Sequence, residues 1–205
     1  MGHREDAVIV NTIVRQALAA AEEVMGTNGL NAVLRLSNLD SFVNNLPPDN
    51  LKPAIKATEY AQFNQAIEDF YGRGGRGMLK RIGKASFQYA INEQPALLGV
   101  AGAALKLLPQ KKRIKFILNS MVNALTKSNS QVEAWVEEEG DTLAYVESSC
   151  AICHSRKSDK EICYLYLGSL GEAVEWATGK TYEITETHCM AKGDPHCRFE
   201  VGEAL

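Results

Sequence analysis

Four side chains near the C-terminus have the types and spacing of a metal site: Cys163, Glu186, Cys189 and Cys197. Zinc favours such a set of thiolates completed by one harder ligand, and closes it tetrahedrally in structural sites. The chain has 205 residues and five cysteines, none of them among the first 149. The other two, Cys150 and Cys153, form a C-x-x-C pair followed by His154. That pair reads as secondary metal ligands, a redox-sensitive dithiol or a loop element packed beside the metal. C-x-x-C-H is also the covalent haem attachment pattern, but that chemistry belongs outside the cytoplasm and the N-terminus shows no export signal. A cysteine nucleophile would need a partnering base and an orienting group, and nothing singles one out.

Strand parity ties the four together. In the segment TYEITETH, from Thr181 to His188, Tyr182 and Ile184 share a face with Glu186. In HCRFEV, Cys197 is in phase with Phe199 and Val201. A carboxylate in phase with a core face is costly unless it is paired or binds a cation. Gly193-Asp194 is a turn pair that folds the two arms back together. Any one of these cysteines is explained as a small buried hydrophobe; the set with Glu186 in phase is better explained by a metal.

The elements that must position these ligands follow from periodicity. Residues 8–25 carry a helical apolar stripe with Gly26 as a stop, and Leu30 to Leu36 forms a second short helix. Pro47, Pro48 and Pro53 mark a loop. Tyr60, Phe63, Ile67, Phe70 and Tyr71 mark an amphipathic helix with an aromatic face. The run YGRGGRG that follows has no βαβ context, so it breaks one helix from the next rather than binding a dinucleotide. Ala96 to Leu108 is an apolar, small-residue segment ended by Pro109. Gln110 to Lys127 is a clear helix whose leading Lys111, Lys112, Arg113 and Lys115 oppose the helix dipole and hint at an anionic partner. From residue 131 the period becomes two: a hairpin about Glu139-Gly140-Asp141, a polar loop, a helix from Cys163 to Thr178, and two last strands. The fold class is α+β, N-terminal helices on an antiparallel sheet.

Composition sets the boundaries of function. An apolar fraction of 45%, a charged fraction of 23% and a net charge of -3 describe an ordinary soluble domain with no global pull toward nucleic acid or anionic lipid. No apolar run reaches the length of a membrane span. The expectation is a cytoplasmic protein with reduced or metal-bound thiols.

The pattern Cys163, a glycine-containing helix, Glu186-x-x-Cys189, seven residues including Gly193-Asp194, then Cys197-x-Phe199 resembles the 4-vinyl-reductase (4VR) type hydrocarbon-binding domain. YGRGGRGMLKRIGKASF resembles that family's helical part, so the resemblance spans residues 55–202, with the last forty the specific portion. It implies helices packed on an antiparallel sheet, distantly similar to vesicle-tethering (TRAPP) subunits and nitric-oxide-signalling ligand-binding domains. It also implies a structural zinc on Cys163, Glu186, Cys189 and Cys197, a homodimer, and division into an N-terminal helical segment (1–54) and a ligand-binding domain (55–205) within one compact unit.

The function expected is a small-molecule binding module, sensor or carrier, for an apolar, aromatic or tetrapyrrole-like ligand. Phe63, Phe70, Met78, Phe87, Met121 and Trp135 are the candidate ligand-contacting residues. Two alternatives stand beside it: an accessory or reductase-like factor in tetrapyrrole synthesis, and a dimeric scaffold without ligand. Catalysis is disfavoured, because no nucleotide motif survives inspection and a closed metal site leaves no open position.

Overall fold

Val8–Val10 forms strand β1, not the start of a helix. Successive β-branched side chains lose χ1 freedom in a helix and fit a pleat; here they pair antiparallel with β2 (Pro53–Lys56). Pro53 opens its strand, where a missing N–H is tolerated. Helix α1 (Asn11–Leu36) then runs as one bent element, because Gly26 adopts φ 75° and ψ 161° and the helix resumes beyond it. The expected stop at Gly26 is thus a kink. This is a computed structural model, and it describes residues 7–93, 105, 107–128 and 132–205.

Helix α2 (Ala57–Tyr71) ends where Gly72 takes φ 52°, and α3 (Gly75–Glu93) follows after a single 3-10 turn, so the glycine run separates two helices as expected. Of the apolar segment 96–108, most lies outside the described residues. Helix α4 (Gln110–Ser128) carries the basic cluster in its first turns. Two of those cations, Lys111 and Lys115, are answered by carboxylates within the fold. Lys111 and Lys115 lie 2.9 and 2.6 Å from the carboxylate oxygens of Glu138 on the adjoining hairpin, which offsets their placement against the helix dipole without an outside anion.

That hairpin is β3 (Ala134–Glu139) and β4 (Thr142–Glu147), turned by Gly140 at φ 58°. After a loop come helix α5 (Tyr164–Thr178), strand β5 (Tyr182–His188) and strand β6 (Cys197–Ala204). The four strands form an antiparallel sheet in the order β3-β4-β6-β5. The architecture is α+β. Its core is continuous from Ile9 near the N-terminus to Val201 on β6.

Two helices meet in backbone contact. A Cβ added at Gly83 on α3 would fall 2.0 Å from the Leu165 carbonyl oxygen, and one at Gly168 on α5 would fall 1.9 Å from that of Lys80. No residue larger than glycine fits either position without moving a helix. Among the described residues, no helix is long and apolar enough to cross a membrane.

Candidate functional site

Helix α5 begins at Cys163, whose side chain is fully buried at the N-terminal boundary. Glu186 comes to the same point from β5, just before the register of that strand shifts against β6. Cys189 follows the strand end, and Cys197 opens β6. The ligand atoms of Cys163, Glu186, Cys189 and Cys197 all lie within 4.8 Å of one another. The Cys163 sulfur is 3.9 Å from those of Cys189 and Cys197. Thiolates held at about 2.3 Å from a tetrahedral zinc are about 3.8 Å apart, so the spacing fits such an ion.

The surrounding bonds favour a cation. One Glu186 oxygen accepts the Cys163 N–H at 2.9 Å, while the other is buried with no hydrogen-bond partner. Burial, and next the neighbouring Cys189 sulfur, push this carboxyl up to about 9. A cation within the cluster is what would keep it ionised at neutral pH. The Met190 N–H donates to the Cys197 sulfur at 3.4 Å, and the Cys189 N–H to Asp194 at 2.8 Å across a turn in which Gly193 has φ 102°.

Cys150 and Cys153 join the cluster. The loop that carries them is polar in composition, yet Cys150 is 0% exposed and Cys153 2%. Their sulfurs lie 3.7 Å from Cys163 and 3.4 Å from Cys197 respectively. Cys150, Cys153, Cys163 and Cys197 form a second group of four within 4.8 Å. Arg156 ties this loop to α2 through Gln65 and Glu68, at 2.6 and 2.7 Å.

Next to the cluster lies a cavity of about 190 Å³. It is bounded by β1 and the start of α1, by α3, α4 and α5, by β4, and by Ala151 and Ile152 of the cysteine loop. Its wall is largely apolar, but one region is not. Glu147 on β4 is buried beside Tyr145, whose hydroxyl donates to its carboxyl at 3.3 Å, and Tyr166 packs its ring against that of Tyr145 at 5.6 Å. Burial pushes Glu147 up to about 7. Gln16 and Ser149 also line the cavity, and the Gln16 Nε2 and Ser149 Oγ atoms are buried without a partner. An apolar chamber with unsatisfied polar atoms has the character of a ligand site.

Of the six side chains expected to touch a ligand, Phe87 and Met121 lie in the cavity wall. Phe63 is sealed in the core, Met78 is half-buried outside the wall, and Phe70 and Trp135 are 48% and 37% exposed. Aromatic character alone does not distinguish core, cavity and surface. The polar residues Glu147, Tyr145, Tyr166, Gln16 and Ser149 were not anticipated.

Residues 145–203, which hold both groups of candidate metal ligands, match the family model of the V4R domain. This is the family that the C-terminal motif resembles; the helical part of the resemblance lies outside the matched residues. The chain is 34% identical over 94 residues to an uncharacterized protein of Methanocaldococcus jannaschii, a match covering 45% of this chain and 41% of that one. It is 29% identical over 97 residues to the phenol regulator MopR of Acinetobacter guillouiae, covering 47% of this chain and 17% of that protein. The chain thus spans well under half the length of these relatives. Among solved structures, an oxygen-binding H-NOX domain related to soluble guanylate cyclases superposes with a TM-score of 0.62 over 94% of this chain and 93% of that one, at 12% identity. An unliganded iron(II) H-NOX variant from K. algicida gives 0.61 at 17% identity, over 96% and 97% of the two chains. At such identities the likeness is one of fold, and it spans nearly the whole of this chain.

Proposed function

We propose that this chain binds an apolar small molecule in the cavity beside β4, as a sensor or carrier module, with a structural zinc ion clamping α5 to the β5–β6 hairpin. The carrying observation is the chamber of about 190 Å³ with its buried Tyr145–Glu147–Tyr166 group. A cavity of about 150 Å³ is enough to hold benzene, so the ligand is of one- or two-ring size. The V4R match and the ligand-binding H-NOX neighbours support a small-molecule partner.

Cys163, Glu186, Cys189 and Cys197 would hold the ion, and its chemistry there is cross-linking rather than Lewis-acid catalysis, since all four positions are protein ligands. α5 would transmit that clamp to the chamber, because Leu165, Tyr166 and Ser169 line the wall within two turns of Cys163. A pair of identical chains belongs to the same reading through the family resemblance.

Native mass spectrometry of the protein from its host, followed by calorimetric titration with benzene, phenol, naphthalene and several tetrapyrroles, tests the reading. Binding of one- or two-ring compounds, abolished by Ala124→Phe in the chamber wall, is expected. Tight tetrapyrrole binding with no response to the small aromatics would move the function to the tetrapyrrole alternative. No binding by any of them would leave a scaffold.

A further inference from the structure

The cluster offers more ligands than one tetrahedral ion can use. Five thiols and one carboxyl meet there, and their ligand atoms divide into two groups of four that share the sulfurs of Cys163 and Cys197. One group is completed by Glu186 and Cys189, the other by Cys150 and Cys153. The second pair comes from a C-x-x-C loop, the spacing with which one segment supplies half of a zinc site.

From this arrangement we infer a second metal site: two divalent, thiophilic ions such as zinc bind side by side, bridged by the Cys163 and Cys197 thiolates. This rests on the proposed zinc site at Cys163, Glu186, Cys189 and Cys197 and extends it. Each ion has four protein ligands, and each bridging sulfur has lone pairs enough for two ions. The sulfur separations in the second group, 3.7 Å for Cys150 to Cys163 and 3.4 Å for Cys153 to Cys197, sit close to the edge of a zinc–thiolate tetrahedron, about 3.8 Å. A disulfide would need about 2.05 Å, and all five cysteines are free.

Charge balance permits the second ion. One divalent ion against three thiolates and a carboxylate leaves a formal charge of minus two. The second ion binds as Cys150 and Cys153 each lose a proton to solvent, so two positive charges enter and two leave. The cluster's formal charge does not change, and two buried thiols gain strong bonds.

The test is metal stoichiometry of the full chain, prepared under reducing anaerobic conditions, loaded with zinc and desalted, then read by elemental analysis and native mass spectrometry. Two zinc ions per chain are expected, falling to one in Cys150→Ser/Cys153→Ser. One ion in the wild type, kept in that double variant and lost in Glu186→Gln/Cys189→Ser, overturns the second site and leaves the first standing. One ion lost from Cys150→Ser/Cys153→Ser but kept in Glu186→Gln/Cys189→Ser overturns both. Should the variants not fold, cadmium-113 NMR of the wild type decides. Two resonances, each coupled to the β-protons of Cys163 and Cys197, are expected; a single resonance, or two without shared cysteines, refutes the bridged pair.

Discussion

Glu147 and Glu186 stand in phase with apolar side chains on strands of one sheet, and each needs a reason to be there. For Glu186 the reason was legible: Tyr182 and Ile184 precede it at alternate positions, and cysteines follow at ligand spacing. The same parity holds for Glu147 after Leu143 and Tyr145, but two serines follow it and no ligand-type residue marks it. Its burial is visible only once α5 lays Tyr166 over it. For Cys150 and Cys153 the residue types suggested several roles, and only the fold shows their polar loop turned inward so that both are buried. Because burial raises Glu147 to about 7, the folded state holds a proton there that the unfolded chain releases near the ordinary carboxyl range. The associated stability is therefore greatest below about pH 4.5 and lost as pH rises through about 7. Melting of Glu147→Gln against wild type should show a gap that opens between pH 5 and pH 8 by about 3 kcal/mol, in favour of the variant at the alkaline end. A gap that stays constant with pH would show that the carboxyl does not titrate in this window. Cys189→Ser should lose the proposed ion and several kcal/mol of stability, read as metal content and melting temperature, since metal binding and folding are coupled.

At the scale of elements, helices and strands followed from periodicity, while the contact between α3 and α5 did not. Gly83 and Gly168 look like ordinary weak points in helical patterns, because nothing local marks a residue that another backbone will touch. The strand at Val8–Val10 escaped for a related reason: its partner lies more than forty residues away, at Pro53–Lys56. A paired substitution separates space from propensity. Gly168→Ala should destabilise by about 1–3 kcal/mol or more, since its Cβ would meet the Lys80 carbonyl. Gly171→Ala, three residues on in the same helix, finds only Ile184 Cγ1 at 3.8 Å and should gain up to about 1 kcal/mol. Chemical denaturation of both variants checks this; equal effects would mean that the crossing is looser than its geometry.

Across the whole molecule, the cysteine cluster and the chamber share walls. Ala151 and Ile152, between Cys150 and Cys153, face the chamber, and α5 runs from Cys163 past its polar group. Removing the proposed ion with a strong chelator should therefore weaken ligand binding as well as lower the melting temperature. Calorimetry before and after chelation reads both, and unchanged affinity in a demetallated but folded protein would separate the two sites. Residue types pointed to Cys163, Glu186, Cys189 and Cys197, and the fold brings those four side chains together. The chamber was mostly illegible, because a cavity is made by what many separate segments leave unfilled.

The glycine crossing also bears on how such a chamber can diverge between lineages. Where two backbones already touch, exchanging side chains can neither widen nor narrow the seam, so the α3–α5 side is a fixed ruler. New ligand preferences would have to be written in the wall side chains, such as Ile13, Gln16, Phe87, Met121, Ala124 and Tyr166, and not in the spacing of the two helices. Selection for altered specificity should accumulate its changes there and spare the two glycines.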